Sequence, residues 1–160
     1  MNSIVIYATH AGNTRLIAET IAGGLESRGP VQLLAADEAP ASLPEGIDLM
    51  VIGSPTEGHR MIEPLSHFFA RLERGALQGM AAAAFDTRLH GPRWLWGSAA
   101  HGIAEELRRL GARPVAPEES FYVDMKPHLQ QGEIERAAAW ALALADTLAG
   151  NAVAVPTSAN

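Results

Sequence analysis

The sequence predicts an α/β domain: a five-stranded parallel sheet with helices on both faces. Short runs of β-branched and apolar residues alternate with longer stretches of helical period, as βα units do. The third run, Ile47 to Gly53 (IDLMVIG), is apolar along most of its length, as a strand covered on both faces should be. No repeat or linker interrupts the alternation, so a single domain is expected over residues 1–149.

The elements follow in order. Ser3 to Ala8 (SIVIYA) is too short for a helix and rich in β-branched residues, hence a first strand. Asn13 to Gly29 places Ile17, Ile21 and Leu25 on one helical face and ends at Gly29-Pro30. Val31 to Ala36 is the second strand. Residues 37–46, with Pro40, Pro44 and Gly46, read as a loop or a poor short helix. After the third strand, Glu63 to Arg74 is helical through Leu65, Phe68, Phe69 and Leu72. Gly79 to Phe85 (GMAAAAF) would suit a helix by composition, but the alternation assigns it as the fourth strand. Ser98 to Gly111 is helical, with Ala99, Ile103, Leu107 and Leu110 on one face. Arg113 to Val123 holds one or two short strands, around Val115 and at Phe121-Tyr122-Val123. Gly132 to Ala149 is the last helix, and residues 150–160 read as a frayed tail.

Composition narrows the function. The chain has 160 residues, 48% apolar and 19% charged, with a formal net charge of -6. A mildly acidic surface repels phosphate backbones and anionic lipid, so neither nucleic acid nor membrane is expected as a partner. With no cysteine, iron–sulfur clusters, thiolate zinc sites and cysteine nucleophiles are excluded. The six histidines show no i, i+4 pair on one helix, which argues against a metal site. No secretory signal or membrane-length apolar run is visible, so a cytoplasmic location is expected.

Ligands of parallel α/β sheets bind beyond the carboxyl ends of the strands. After the first strand, Thr9-His10-Ala11-Gly12-Asn13-Thr14 leads straight into a helix. Gly12 allows close backbone approach, Asn13 or Thr14 can cap the helix, and the helix N-terminus suits a phosphate. A Rossmann loop would need two more glycines, and a P-loop a Gly-Lys-Ser/Thr ending; the only lysine is Lys126. A receiver domain would need acidic residues at Tyr7, Ala8 or Thr9. A Gly-x-Ser-x-Gly hydrolase elbow is absent.

The loop at Thr9 to Thr14 resembles the phosphate-binding loop of the flavodoxin family, Ser/Thr-x-Thr-Gly-Asn-Thr, at five of six positions. Ala11 departs, lacking the hydroxyl of the family's second Thr. His10 or Arg15 can replace it with charge. After the third strand, Pro55-Thr56-Glu57-Gly58 resembles the family's second flavin loop, with Glu57 where many members carry a stacking Trp. In the family the peptide before this glycine turns over on reduction, and Gly58 tolerates both backbone states. After the fourth strand, Asp86-Thr87-Arg88 and the segment to Ser98 resemble the third loop, where Trp94 or Trp96 can stack on the ring. Arg88 can meet the phosphate, the ring's O2 edge or solvent. The resemblance covers residues 1–149. It implies a flavodoxin-like three-layer sandwich of strand order 2-1-3-4-5, and FMN as cofactor.

It further implies electron transfer, with a separate reductase and a separate acceptor protein, by a monomer or homodimer. Basic residues in the candidate loops (His59, Arg60, Arg88 and Arg93) favour an anionic reduced flavin and predict a less negative potential than an acidic member would have. Two alternatives stand beside this reading. One is a small FMN-dependent NAD(P)H:quinone-type reductase, since the basic loops can also receive an anionic substrate. The other is a flavin-free interaction module, since Ala11 and Glu57 each remove a family contact.

Overall fold

The computed structural model describes residues 1–153, with side chains described through Gly150. Four strand–helix units, with β2 leading directly into β3, build one sheet. Strand β1 (Ser3–Tyr7) is flanked by β2 (Val31–Ala35) and β3 (Leu49–Pro55). Strand β4 (Ala81–Leu89) pairs with β3. Beyond it lie two pieces in line, β5 (Arg113–Pro114) and β6 (Glu119–Val123), each parallel to β4. The order is therefore 2-1-3-4-5, with the fifth position split in two.

Period-two alternation divides the core into two layers. Ile4, Ile6, Met50 and Ile52 face helices α2 (Glu63–Arg71) and α4 (Ala99–Arg109), meeting Leu65, Phe68, Ile103 and Leu107. Val5, Leu49, Val51 and Phe85 face α1 (Asn13–Glu26) and α5 (Glu133–Val153). The predicted face of α1 is the buried one: Ile17, Ile21 and Leu25 are fully enclosed, each contributing ~1.5–3 kcal/mol. The alanine run of β4 is a strand because both its neighbours pair with it. Its small side chains also leave room for a helix on either face.

Several boundaries move. Helix α1 stops at Glu26, three residues before Gly29. Helix α2 stops at Arg71, short of Arg74. Strand β4 runs four residues past Phe85, so Asp86, Thr87 and Arg88 are strand residues, not loop residues; the first two pair with Ser54 and Pro55 of β3. A four-residue helix α3 (Arg93–Trp96) occupies the segment read as loop. Helix α5 continues through Val153, four residues beyond the predicted end, and the remainder of the expected tail lies outside the described residues. Among the described residues no helix is long and apolar enough to cross a membrane.

Candidate functional site

The carboxyl ends of β1, β3, β4 and β6 open on a cleft of about 240 Å³. Its lining includes Thr9, His10, Ala11, Asn13, Thr14, Pro55, Thr56, Glu57, Thr87 and Arg88. Three loops read separately from the sequence thus converge on one cavity.

The floor of the cleft is the start of α1. Gly12 is the N-cap, in a left-handed conformation (φ 90°), and no side chain caps the helix. The expected cap by Asn13 or Thr14 is not made. Asn13 Nδ2 instead donates to Pro127 O (2.5 Å), and the Thr14 hydroxyl pairs with that of Thr87 (2.8 Å). The Gly12 N–H closes the loop onto Thr9 Oγ1 (3.0 Å). The N–H groups of Asn13, Thr14 and Arg15 have no preceding helical carbonyl to meet, so a concentrated donor site faces the cleft. A side chain at Gly12 would project into unfilled space beside them.

One wall is a tight turn. Glu57 and Arg60 exchange both backbone hydrogen bonds (3.0 and 3.1 Å) around Gly58 and His59, whose φ values are 53° and 71°. Two left-handed residues in succession make a type I′ turn, and His59 is the sole non-glycine at positive φ among the described residues. Glu57 Oε1 lies 2.8 Å from His10 Nδ1, tying this turn to the phosphate-type loop across the mouth. The carboxylate at the family's aromatic position therefore has a partner within this chain.

The opposite wall carries Arg88, only 6% exposed. Its Nε donates to Ser120 Oγ (3.1 Å), and Nη1 donates to Gly91 O (3.0 Å) and Leu89 O (3.4 Å). Its guanidinium lies over the Tyr122 ring at 5.4 Å. Burial excludes the solvent option for Arg88. The nearest carboxylate oxygen, Asp86 Oδ1, is 3.9 Å away and accepts no hydrogen bond. A buried cation beside hydroxyls and unengaged backbone N–H groups fits a phosphate ester with a polar ring edge, and so fits FMN. His59, Arg60 and Arg93 are exposed and do not line the cleft, which confines the expected charge effect to Arg88.

Other predicted residues stand elsewhere. Asp86 is fully buried and accepts from Thr56 Oγ1 (3.0 Å), Ser98 Oγ (2.8 Å) and Ala100 N (3.0 Å). It fastens α4 to the sheet and is absent from the cleft lining. Thr56 reaches the cleft, yet its hydroxyl is engaged on both sides, by Asp86 and by Ala99 N (2.8 Å). Neither Trp94 nor Trp96 lines the cleft. Trp94 is 82% exposed, and Trp96 lies over Gly91.

A fourth loop went unread. Asp124, Met125 and Pro127, after β6, also line the cleft. Asp124 Oδ1 accepts from Lys126 N (2.8 Å) and His128 N (3.0 Å). The His128 N–H, outweighing slight burial, and then the Lys126 N–H hold the Asp124 carboxyl below its ordinary range. The signal was present, since this segment also follows a parallel strand.

Comparison with known proteins gives one consistent result. The family model described as Flavodoxin matches residues 5–140. A flavodoxin of Nitratidesulfovibrio vulgaris (strain Miyazaki F) is 30% identical over 145 residues, covering 88% of this chain and 94% of that protein. Among solved structures, Flavodoxin 2 from Bacillus cereus superposes with a TM-score of 0.78 at 24% identity, over 91% of this chain and 99% of the other. A flavodoxin from the domain Archaea gives 0.77 at 24% identity, over 93% and 99%.

Proposed function

Since this chain belongs to the flavodoxin family, whose members bind FMN and transfer electrons, we propose that the cleft described above is its FMN site and that the protein carries electrons between a separate reductase and a separate acceptor. The uncapped N-terminus of α1, opening into a cleft with a buried arginine on its far wall, carries this reading.

The first-turn N–H groups of Asn13, Thr14 and Arg15 bind the phosphate, aided by the Thr14 hydroxyl. The helix dipole favours that charge. Thr87 and Thr9 keep the loop in shape through their hydroxyl contacts. The cleft is smaller than the ~300–1,000 Å³ of an enclosed ligand site, so it takes the phosphate and ribityl tail and leaves the ring to its rim. When bound, FMN supplies the redox chemistry. Arg88 places a fixed positive charge where it favours added electron density on the flavin, which sets the potential higher. Ala11 withholds one hydroxyl from the phosphate, and Glu57 holds His10 over the loop instead of stacking on a ring.

The test is a titration of the apo protein with FMN and with riboflavin, followed by flavin fluorescence. FMN should bind at least tenfold more tightly, because only it offers the phosphate. Equal affinities for the two would refute the assignment of the α1 N-terminus.

A further inference from the structure

We propose that a groove at the amino edge of the sheet, at the opposite end of the strands from the cleft, binds a small zwitterion with an apolar body, the chemistry of an apolar α-amino acid. The proposal is independent of the flavin reading. The register of the sheet builds the groove. Ser3, Leu49, Ala81 and Arg113 stand side by side in one row across β1, β3, β4 and β5, and so face the same layer. That layer is the one of α1 and α5, where Leu49 and Ala81 pack. Both helices run back towards the amino edge. Arg28 follows the end of α1 there, and residues 145–149 of α5 pass beside it. The cavity between them measures about 570 Å³, and its lining includes Arg28, Asp48, Arg113, Ala145, Leu148 and Ala149.

The charges select the ligand. Arg28 is held by Asp146 (2.6 Å), which closes that pair. Arg113 donates its backbone N–H to Met80 O (2.8 Å), and its exposed guanidinium has no partner among the described residues. Asp48 accepts the Asn2 N–H at Oδ2 (2.7 Å), and its Oδ1 has no partner among them either. A guanidinium and a carboxylate oxygen thus line one cavity without meeting each other. Leu49, next to Asp48, lies two strand spacings from Arg113, ~10 Å. A ligand that carries both charges bridges what the two side chains leave open, each contact a charge-assisted hydrogen bond. The four formal charges of Arg28, Arg113, Asp48 and Asp146 cancel. A simple anion therefore meets Asp48 and a simple cation meets Arg113, and only a zwitterion satisfies both. The apolar wall of Ala145, Leu148 and Ala149 takes the uncharged body. Ser3 adds a further unmet polar atom at this end of the same layer, a buried hydroxyl without a partner among the described residues.

Phenylalanine, titrated into the full chain and followed by amide NMR shifts, tests the site. The shifts should centre on Arg113, Leu148 and Ala149 and leave Thr9 to Thr14 unmoved. The dissociation constant should be on the order of millimolar, because exposed charge pairs contribute little each. Phenylpropanoate lacks the ammonium and phenylethylamine lacks the carboxylate, and each should bind roughly fivefold more weakly. Arg113→Gln should weaken phenylalanine roughly fivefold and leave phenylethylamine unchanged. Asp48→Asn should weaken phenylalanine to a similar degree and leave phenylpropanoate unchanged. Either analogue binding as tightly as phenylalanine overturns the proposal. So do shifts confined to the cleft, or no shift up to ~50 mM phenylalanine, well past the millimolar scale. Nuclear Overhauser contacts between residues 154–160 and Leu148 in the ligand-free chain also overturn it, since the groove is then covered by the chain itself. Shifts at Leu148 that grow with protein concentration alone do the same, since a second copy then sits there. The two sites lie at opposite ends of the strands, so loss of FMN binding leaves this result readable, and failure here leaves the flavin assignment standing.

Discussion

Helices α1 and α4 begin at the same edge of the sheet, and the molecule treats their N-termini in opposite ways. At α4, three side chains from three segments satisfy the first turn. Thr56 accepts from Ala99 N, Asp86 from Ala100 N, and Ser98 from His101 N (3.3 Å). At α1 the cap is a glycine without a side chain, and the two residues best suited to capping turn elsewhere, to Pro127 and Thr87. Both ends carry the same dipole and the same number of orphan donors. A filled N-terminus is a joint; an unfilled one, held in shape by other contacts, is free to serve as the anion site proposed above.

Removing the joint should have the largest effect. Asp86→Ala leaves Thr56, Ser98 and Ala100 N without their shared acceptor and Arg88 without its nearest carboxylate. It should cost about 3–5 kcal/mol and lower Tm by roughly 6–20 °C in thermal unfolding. FMN affinity of the folded fraction should change far less. Gly12→Val reverses the pattern. A β-branched residue at φ 90° strains the loop by ~1–2 kcal/mol and puts methyl groups into the proposed phosphate position, so FMN affinity should fall by about 2–3 kcal/mol, roughly 30- to 150-fold by titration.

Arg88 stands between the two ends, within reach of Asp86 and on the wall of the cleft. Arg88→Gln should lower the two-electron midpoint potential by ~30 mV, the equivalent of ~1.4 kcal/mol, in a spectroelectrochemical titration; Arg88→Lys should hold it nearer the parent value. Ala11→Thr restores a hydroxyl to the receptor loop and should tighten FMN by about 1 kcal/mol, roughly fivefold.

The smallest effect concerns acid. The carboxyl of Asp124 titrates below its ordinary value, so its support of the 124–128 loop is complete above ~pH 3.9 and is lost as pH falls through its lowered value. Hydrogen exchange at the Lys126 and His128 amides should therefore be unchanged from pH 7 to about 4, beyond the intrinsic pH dependence, and lose protection only below that. Asp124→Asn should abolish the acid step.

These contrasts also show what a sequence can reveal. The strand, glycine turn and helix at the start of α1 were legible because they are local, following within twelve residues with Gly12 marking the turn. The joint was not, because Asp86, Thr56 and Ser98 meet only after β3, β4 and α4 have packed, so Asp86 read as a cofactor contact. Helix α3 is one turn long and has no period to detect. Which of Trp94 and Trp96 could stack on the ring stayed open, because aromatic type carries no information on direction. The loop after β6 escaped because the fifth strand is broken, which hid where that strand ends and hence which residues lie beyond its carboxyl terminus.

That break has a further consequence. Beyond β4 the sheet presents only two residues of β5, then a gap holding Pro117, then five residues of β6. Pro114 and Pro117 have no N–H to offer an approaching strand, and Arg113 is exposed beside them. A second molecule cannot extend this edge ladder in register, so this border of the sheet is blunted against strand addition, whereas the other border is the unbroken five-residue β2. The broken fifth position thus leaves β2 as the single border of the described sheet that offers a continuous ladder to another strand.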